Sequence, residues 1–469
     1  MIVKPTQPQR NLTLFDATCI IVGTIVGAGI FQSAPTVASA AGDATSLIIL
    51  WLFGGVLTLA GALCFAELTT RFMNEYGGDY AYLKMAFGKS VGFMFAWATF
   101  WIIRPGNIGA MALTFAIYLG NLLSVGEPGS NGMQALYAVL AVVLLSVVNL
   151  LGLKKSKWLQ NVLTVTKVVG ILLIAGLGIF SNSDLSSTPL TSEIAPERDW
   201  LLALVFVMFS FGGWNDLSFI SNEIVDPKRN LLRALILGSV AVTAVYVVIN
   251  IAFVIGLGFG AFSQSKAVAT DLVTNVLGSE SLIGQRASKI IASLVCISCL
   301  GAINGIIITS PRIYYAAGRD FQLIGALGVW NQERDQPWLA TMIQAVVTVG
   351  LLCLCFGYEK PFDTIVIASA PFFWGFLGLT GVSLIVFRRK NMTSNEEQPS
   401  FRVPFYPLEP LLLIIACFSM AYSSTDFLIR NGYWLAGLTV LALMVVGILL
   451  GLNLRSTLEG QPLNKSMEN

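Results

Sequence analysis

Apolar residues occur in long blocks along the whole chain, and short polar breaks separate one block from the next. Each block holds roughly 20 residues, which as an α-helix is long enough to cross a hydrocarbon core of about 30 Å. The pattern therefore predicts an all-α membrane protein with twelve transmembrane helices. The predicted helices lie at approximately 17–41, 44–69, 91–123, 133–151, 159–181, 200–223, 234–257, 288–317, 338–357, 363–387, 407–424 and 433–454.

Composition supports this class of protein. Of the 469 residues, 55% are hydrophobic and only 12% are charged, whereas soluble domains carry about 25% charged residues. The chain has no histidine, which excludes imidazole metal sites and proton relays, and its seven cysteines all lie in apolar blocks. We therefore expect cysteines such as Cys296 and Cys299 to pack within helices, and we expect no metal and no cofactor. The net charge of +2 gives no sign of a nucleic-acid partner.

Basic residues are distributed unevenly between the two predicted sides of the membrane. If the N-terminus is cytoplasmic, most of the 28 Lys and Arg residues fall in cytoplasmic tails and loops, among them Lys154, Lys155 and the run at 388–390. This is the positive-inside bias. Because an even number of helices puts both termini on one side, the sequence predicts a multi-pass protein of the cell (inner or plasma) membrane with both termini cytoplasmic.

The longest predicted outer loop, at 258–287, mixes polar and apolar positions. Such a pattern fits short helices that cap a vestibule, and it fits a disordered loop equally well. The sequence leaves these two alternatives open.

The first and sixth blocks share an unusual feature, because glycine interrupts each of them near its centre. The first contains IVGTIVGAGIF, which ends at Phe31, and the sixth contains FSFGGWND, which begins at Phe209. Glycine in a helix interior costs roughly 1 kcal/mol relative to alanine. The two blocks occupy equivalent places if a unit of five helices is repeated, and paired interruptions of this kind indicate a transporter substrate site. Gly23 and Gly27 also form a GxxxG pattern, so close helix packing is the alternative.

Two breaks in the middle of a membrane suit a particular ligand. A broken helix exposes backbone groups, which are tolerated only where they line a protein or water cavity. Free N–H groups at the start of the outer half-helix, together with the positive end of its dipole, suit a carboxylate. Carbonyls freed at the breaks suit an ammonium group. A zwitterion with both charges on one carbon therefore fits such a pair of breaks.

These motifs, together with IIRP at 102–105 and LGAING at 300–305, resemble the amino acid–polyamine–organocation superfamily, and within it the L-type amino acid transporters and their bacterial homologues. The resemblance extends from about Asn11 to about Arg388 and is less specific beyond it. It implies a LeuT-type fold, in which a five-plus-five inverted repeat with broken first and sixth helices is followed by two further helices. The expected parts are a cytoplasmic tail at 1–16, repeats at 17–181 and 200–387, helices eleven and twelve at 407–454, and a cytoplasmic tail at 455–469.

The resemblance also implies where a substrate binds. It places the carboxylate on the backbone N–H groups of Ala28 and Gly29. The ammonium group falls on the carbonyls of Ile25, Phe209 and Gly212, and the Phe209 ring would close over the substrate from outside. The residues implied to face the substrate side chain are Ile103, Asn107, Phe373 and Trp374.

Three departures from the family pattern change these expectations. Ala28 stands where several members have a serine, so only the backbone would contact the carboxylate. Asn107 stands where small hydroxyl residues are familiar, which argues against a preference for large apolar side chains. The loop SVGEPGSNGMQ at 124–134 has no cysteine, whereas animal members use one there to link to a heavy-chain glycoprotein. We therefore expect no disulfide-linked heavy chain, and we expect amino acids and the lipid bilayer as the partners.

A charged residue inside a membrane helix is a functional candidate by default. Lys167 lies about nine residues into the fifth predicted helix, which at 1.5 Å per residue is roughly 13 Å deep and close to the middle of the core. It matches a family lysine whose ammonium resembles a replacement for a sodium ion between the first and eighth helices. Its expected partners are carbonyls near Gly23 and the hydroxyl of Ser298. A lysine at the cytoplasmic interface is the alternative.

Other charges have more ordinary explanations. Arg104 precedes Pro105, and we expect it to anchor a helix by pairing with a carboxylate or with carbonyls. Asp216 and Glu223 either form ion pairs that gate the cytoplasmic path or mark its wet end. Glu67 is expected to be structural.

Taken together, the residues predict a sodium-independent transporter of neutral L-amino acids that works by alternating access as an exchanger. One alternative keeps the fold and couples uptake to protons through Lys167. A carrier of polyamines or cationic amino acids is a further alternative. A membrane enzyme is disfavoured because the inner faces of the helices carry no cluster of His, Asp or Glu, and a receptor is disfavoured because the tails are short.

Overall fold

The computed structural model describes residues 8–123, 131–181, 198–356, 361–391, 399–430 and 432–459, and within these ranges it contains helices and two isolated β-bridges. The helices are α1 Leu14–Ile25, α2 Gly29–Ala41, α3 Ala44–Arg71, α4 Asp79–Phe87, α5 Lys89–Ala98, α6 Arg104–Leu123, α7 Asn131–Leu150, α8 Leu153–Ile179, α9 Trp200–Ser210, α10 Pro227–Leu257, α11 Phe259–Gln264, α12 Val268–Leu277, α13 Leu282–Thr309, α14 Pro311–Asp320, α15 Trp338–Cys355, α16 Pro361–Asn391, α17 Leu408–Arg430 and α18 Trp434–Glu459. A π-helix, Thr99–Ile103, joins α5 to α6, and 3-10 helices span Trp214–Glu223 and Gln322–Gly328. The first of these 3-10 helices is called helix 214–223 below.

Ten helical stretches in the described ranges are long and apolar enough to cross a bilayer, and there are eleven if the bent pair α1 and α2 forms one span. In two of these stretches consecutive helices run on, as in Lys89–Leu123 and Leu282–Asp320. α18 carries a shorter apolar run, Leu435–Gly451. An all-helical membrane protein is therefore confirmed, while the count of twelve spans stays a prediction.

The outer faces of the bundle remain apolar. Leu144 on α7, Leu173 on α8 and Ile415 on α17 are 61%, 67% and 63% exposed. Exposed apolar side chains on long helices are expected where lipid rather than water surrounds them. The protein interior, by contrast, is centred on the first helix, because α1 packs against α8, α10 and α13, and nine of its twelve residues are buried.

The long loop at 258–287 contains two short helices, α11 and α12, so the helical alternative is confirmed for this segment. α11 packs against α2, and α12 packs against α10 and α13. Phe262 of α11 is fully buried, and its ring centroid lies 5.3 Å from that of Phe253 on α10. The loop is therefore part of the packed body of the protein.

Glu67 near the end of α3 has the structural role that the sequence predicted. Its carboxylate is fully buried and accepts a 2.9 Å hydrogen bond from Arg388 Nε on α16. It also accepts a 2.8 Å bond from the N–H group of Val403, which precedes α17. One buried acid thus joins three segments that are far apart in sequence.

Some predictions concern residues outside the described ranges. The loop on which the heavy-chain prediction rests is one, since residues 124–130 are not described. Parts of both predicted tails, at 1–7 and 460–469, are others.

Candidate functional site

The first membrane helix is broken into α1 and α2, with a bend of 52° between them. α1 ends at Ile25, and the next residue, Val26, has a ψ of 81°, which is not helical. The N–H group of Gly27 turns back and donates a 2.8 Å hydrogen bond to the Ile25 carbonyl. α2 then begins at Gly29, within the first turn, where backbone N–H groups have no acceptor in their own helix. The break therefore creates a new helix N-terminus inside the protein.

The sixth membrane helix is broken in a different way. α9 ends at Ser210, a turn follows, and helix 214–223 begins at Trp214. Gly213 in this turn has a φ of +111°, a conformation that residues with a side chain rarely adopt. Within the turn, the N–H group of Gly212 donates a 3.2 Å hydrogen bond to the carbonyl of Phe209. The glycine pair in the sequence is therefore required for the turn.

The two breaks contact each other directly. A Cβ atom on Gly213 would lie 2.9 Å from Cγ2 of Thr24 on α1, so only glycine fits there. The buried hydroxyl of Tyr246 on α10 lies 2.9 Å from the Ser210 carbonyl and 3.2 Å from the Ile25 carbonyl. It therefore connects the ends of α1 and α9. The sequence gave no signal for Tyr246, because a tyrosine within an apolar helix is usually a packing residue.

A central cavity of about 110 Å³ lies between the breaks. Its volume is well below the roughly 300–1,000 Å³ of pockets for drug-sized ligands, so it suits a small solute. Seven of the eight predicted substrate-contacting residues line it, namely Ile25, Gly29, Asn107, Phe209, Gly212, Phe373 and Trp374. The eighth, Ala28, is fully buried and immediately precedes α2.

The structure places Ile103 elsewhere. It lines a smaller side cavity, which it shares with Asp79, Asn215 and Phe373, whereas Asn107 lines the central cavity. The π-helix that ends at Ile103 separates the two positions, because its wider turns change which side chains share a face. The expectation that Ile103 and Asn107 face the same space is therefore wrong.

Two charged residues also line the central cavity, Arg104 of α6 and Asp216 of helix 214–223. The two terminal nitrogens of Arg104 lie 2.9 and 2.8 Å from the two carboxylate oxygens of Asp216. The Thr309 hydroxyl donates a further bond of 3.2 Å to this carboxylate. The expectation that Arg104 pairs with a carboxylate is confirmed. The sequence did not indicate that this ion pair forms part of the cavity wall.

Glu223, at the end of helix 214–223, forms a second buried ion pair. Nε and a terminal nitrogen of Arg312 on α14 donate bonds of 2.7 and 2.8 Å to its two oxygens. Nearby, the N–H group of Leu12 donates to the Glu223 carbonyl at 2.9 Å, and that of Val225 donates to the Leu12 carbonyl at 2.8 Å. Ion pairing is therefore the correct alternative for both Asp216 and Glu223, while a gating role stays a prediction.

Lys167 of α8 is fully buried beside the first break. Its ammonium donates hydrogen bonds of 2.7 Å to the carbonyls of Gly23 and Val26, and one of 3.3 Å to the carbonyl of Ser298 on α13. The predicted bond to the Ser298 hydroxyl is not formed, and that hydroxyl has no partner among the described residues. A Cβ atom on Gly301 would lie only 2.8 Å from the ammonium. The lysine is thus held by carbonyls from both helices, and interfacial placement is excluded.

The glycines of the first break serve both purposes that the sequence left open. A Cβ atom on Gly23 would overlap the side-chain amide of Gln160 on α8, so Gly23 is needed for close packing. Gln160 in turn accepts a 2.8 Å bond from Asn304 of α13. Gly27 and Gly29, in contrast, line the central cavity. Packing and cavity formation therefore divide between neighbouring glycines.

Metal and redox sites find no support in the described part of the chain. No group of three or more His, Cys, Asp and Glu residues there is arranged to hold a metal ion. All seven cysteines are free thiols, and six of them are buried. This agrees with the expectation that cysteines such as Cys296 and Cys299 pack within helices.

Comparison with known proteins identifies the family. The family model for amino acid permeases matches residues 12–451. The b(0,+)-type amino acid transporter 1 of Mus musculus is 30% identical over 420 residues, which are 88% of this chain and 84% of that protein. The serine/threonine exchanger SteT of Bacillus subtilis (strain 168) is 27% identical over 412 residues, which are 87% of this chain and 90% of SteT. The large neutral amino acids transporter small subunit 2 of Mus musculus is 34% identical over 352 residues, which are 73% of this chain and 65% of that protein.

The matched region contains both helix breaks, the central cavity and Lys167. The three relatives are named as amino acid transporters or exchangers, and each matches most of this chain. This chain therefore belongs to the amino acid permease family of the amino acid–polyamine–organocation superfamily, a family of membrane transporters for amino acids.

Proposed function

We propose that this protein is a sodium-independent transporter of neutral L-amino acids that works by alternating access and exchanges one amino acid for another. The observation that carries the proposal is the central cavity, which both helix breaks line. The substrate carboxylate binds the N–H groups of Ala28 and Gly29 at the start of α2, where donors are free and the helix dipole is positive. Its ammonium group binds the carbonyls of Ile25, Phe209 and Gly212.

A preference for neutral side chains follows from the charges in the cavity wall. Among the described residues that line it, the charged ones are Arg104 and Asp216, and these two neutralise each other. A charged substrate side chain would find no free counter-ion there and would lose its hydration. Asn107 and Ser369 offer uncharged hydrogen-bonding groups instead. The small volume favours small polar or small apolar side chains over large ones.

Independence from sodium and a tendency to exchange rest on Lys167. Its ammonium occupies the space between the first break and α13, bonded to carbonyls that would suit a cation. A fixed cation at this position removes the need for a bound sodium ion. Without an ion gradient to drive it, the carrier returns most readily when a second substrate is bound. The relative named as a serine/threonine exchanger agrees with this behaviour.

The same proposal includes the architecture of the membrane domain. It has twelve spans, with inverted repeats at 17–181 and 200–387, and it lies in the cell membrane with both termini cytoplasmic. The protein functions without a disulfide-linked heavy chain, because residues 124–134 contain no cysteine.

Transport by the purified full chain in liposomes tests the central proposal. Liposomes loaded with unlabelled amino acid should take up labelled L-serine, L-alanine or L-leucine, empty liposomes should take up little, and sodium should have no effect. A methyl ester or a decarboxylated amine of the best substrate should compete about 10- to 150-fold less well, because each loses charge-assisted contacts worth roughly 1.5–3 kcal/mol. Equal competition by the amine would contradict a zwitterion site and favour a polyamine carrier.

Two glycine variants test the place of binding. In Gly29→Val, a branched side chain fills the space next to the carboxylate site, so binding should be lost although the protein still inserts and purifies. Gly350→Val on α15 is the matched control, because nothing lies within 4 Å of a Cβ atom there. If Gly29→Val binds substrate as the control does, the substrate does not bind at the start of α2.

Proton-coupled uptake is the second candidate, and one observation favours it. Lys167 is fully buried, and among the described residues its hydrogen-bond partners are carbonyls rather than carboxylates. An ammonium without a counter-ion is a group that can release a proton. Under this candidate, uptake into empty liposomes follows an inward proton gradient, and Lys167→Ala abolishes that dependence while Lys155→Ala, an exposed lysine of the same helix, does not. Exchange that ignores the gradient supports the first proposal.

A further inference from the structure

Asp79 is a buried acid that the proposed transport cycle does not yet use. It is the first residue of α4, the short helix between two membrane spans, and only 2% of its surface is exposed. Gly77 and Gly78 precede it with φ values of +86° and +51°. A Cβ atom on Gly78 would overlap the Ser218 hydroxyl, so the two glycines bring the start of α4 directly against helix 214–223.

The carboxylate of Asp79 is only half satisfied. One oxygen accepts a 3.1 Å hydrogen bond from the side-chain amide of Asn215. The other oxygen has no partner among the described residues, and neither has the amide oxygen of Asn215. Both unpartnered atoms belong to residues that line the side cavity.

Few other groups face Asp79. Arg104 and Asp216 lie across the side cavity, Tyr82 lies on α4 itself, and Cys417 lies on α17. α16 contributes the uncharged hydroxyl of Thr380, and α5 contributes the apolar ring of Phe95. The acid of α14, Asp320, is occupied at the opposite side of α4, where Tyr80 and Lys84 bond it at 2.7 and 2.8 Å.

Charge counting shows what this arrangement requires. Arg104 is the one base close to two acids, and it is fully used by Asp216, which it meets with both terminal nitrogens. Asp79 is therefore left with a single amide donor. An isolated buried charge is unfavourable, and a carboxyl group relieves it by taking up a proton. In agreement, loss of water on burial raises the pKa of Asp79 to about 7.

Asp79 is also linked to the central cavity. Arg104 and Phe373 line both cavities. Asn215, which bonds Asp79, is the neighbour of Asp216 in helix 214–223. Any movement of this helix changes the surroundings of the carboxyl group, so the two processes share one structural element.

We propose that Asp79 is a proton-binding site whose protonation favours closure of the central cavity at the α4 side. The inference rests on the proposed alternating-access transport. In the closed form described here, Asp79 is dry and binds its proton tightly. In a form open at this side, water would reach the carboxyl group, and it would ionise at an ordinary, lower pH. Acid therefore favours the closed form, and this advantage disappears as pH rises through about 7.

Exchange of labelled L-serine, L-alanine and L-leucine by the full chain in liposomes, with equal pH on both sides, tests the site. The wild-type rate should change with a midpoint near pH 7. Asp79→Asn should exchange at a rate independent of pH, because an amide stays neutral. Asn215→Ala should shift the midpoint upward, because it removes the donor that favours the ionised acid. Asp426→Asn, which changes an acid that faces the exterior on α17, should keep the wild-type midpoint.

A spectroscopic measurement keeps the test decisive if Asp79→Asn does not fold. Infrared difference spectra of the wild-type protein between about pH 6 and pH 8.5 should show the carbonyl band of a protonated carboxylic acid disappearing near pH 7. A wild-type rate that is independent of pH, a missing band, or a pH profile that persists in Asp79→Asn would overturn the proposal. Loss of the profile in Lys167→Ala alone would assign the proton to that lysine. Absence of exchange for every substrate at every pH would instead contradict the proposed transport itself.

Discussion

The two broken helices have a polar end and an apolar end. α1 and helix 214–223 form the polar end, which contains Asp16, Asp216 and Glu223. α2 and α9 form the apolar end, and neither of these helices contains a charged residue. Each broken helix therefore has one half that can form ion pairs and one half that can only pack.

The contacts at the two ends differ accordingly. At the polar end, Glu223 and Arg312 form a buried pair with two hydrogen bonds, and loss of one partner of a buried pair costs about 3–5 kcal/mol. The apolar end is adjoined by the pair of Arg198 and Asp43, 3.1 Å apart, in which the arginine side chain is 51% exposed. Exposed pairs contribute only about 0–1 kcal/mol.

The difference indicates how the cavity opens. A carrier needs two states that differ by only a few kcal/mol. Separating α2 from α9 breaks apolar contacts and an exposed ion pair, whereas separating α1 from helix 214–223 breaks buried polar contacts. We therefore expect that the form described here opens more readily at the apolar end, where Phe209 is already 37% exposed.

Arg312→Met should have the largest effect, because it leaves the Glu223 carboxylate buried without its partner. We expect the free energy of unfolding, measured by denaturant titration in detergent, to fall by about 3–5 kcal/mol. Replacing both partners, in Arg312→Met with Glu223→Met, should restore most of this loss, because an apolar pair has no charge to satisfy. A loss below about 1 kcal/mol in the single variant would show that the polar end is not the stronger one.

Gly213→Ala should have the next largest effect, because it strains the point where the two breaks meet. A side chain at a φ of +111° costs about 1–3 kcal/mol, and its Cβ atom would lie 2.9 Å from Thr24. We expect a loss of stability of that order together with loss of exchange. Gly29→Ala is the control, since its Cβ atom would lie 3.5 Å from the Ser210 hydroxyl, at ordinary contact distance. Equal destabilisation in both variants would show that the two breaks tolerate side chains equally.

Tyr246→Phe should have a smaller effect, because it removes one hydroxyl that connects the two breaks. The loss of such a hydrogen bond costs about 0.5–1.5 kcal/mol. We expect the exchange rate in liposomes to change more than substrate affinity does, because the hydroxyl joins the ends of α1 and α9. Tyr422→Phe, at a side chain that is 71% exposed, should match the wild type. An unchanged exchange rate in Tyr246→Phe would exclude a role for this connection in the transport cycle.

Asp43→Asn should have the smallest effect. The asparagine can still accept the 2.8 Å hydrogen bond from the Ser46 N–H group that caps α3, so only the exposed pair with Arg198 is lost. Stability should fall by no more than about 1 kcal/mol, and high salt should reduce the difference from the wild type. A loss as large as that in Arg312→Met would remove the contrast between the two ends.

The fold class, both helix breaks and most of the cavity lining could be predicted from the sequence, because they depend on local properties. Apolar blocks of span length indicate membrane helices wherever they occur. Glycine in a helix interior, as at Gly29 and Gly213, has a local conformational cost and so indicates a break. A lysine within an apolar block, Lys167, is unfavourable whatever its neighbours are, and this alone made it a candidate.

The partners of these residues depend on tertiary packing. Glu223 bonds Arg312, and Asp79 bonds Asn215, across 89 and 136 positions of the sequence. No local pattern specifies which of several acids meets a given base, because that depends on how the helices cross. Lys167 illustrates the limit, since its location was predictable from sequence, but its bond to the carbonyl of Ser298 rather than to the hydroxyl depends on the orientation of α13. The uncompensated charge of Asp79 likewise exists only because packing gives Arg104 to Asp216.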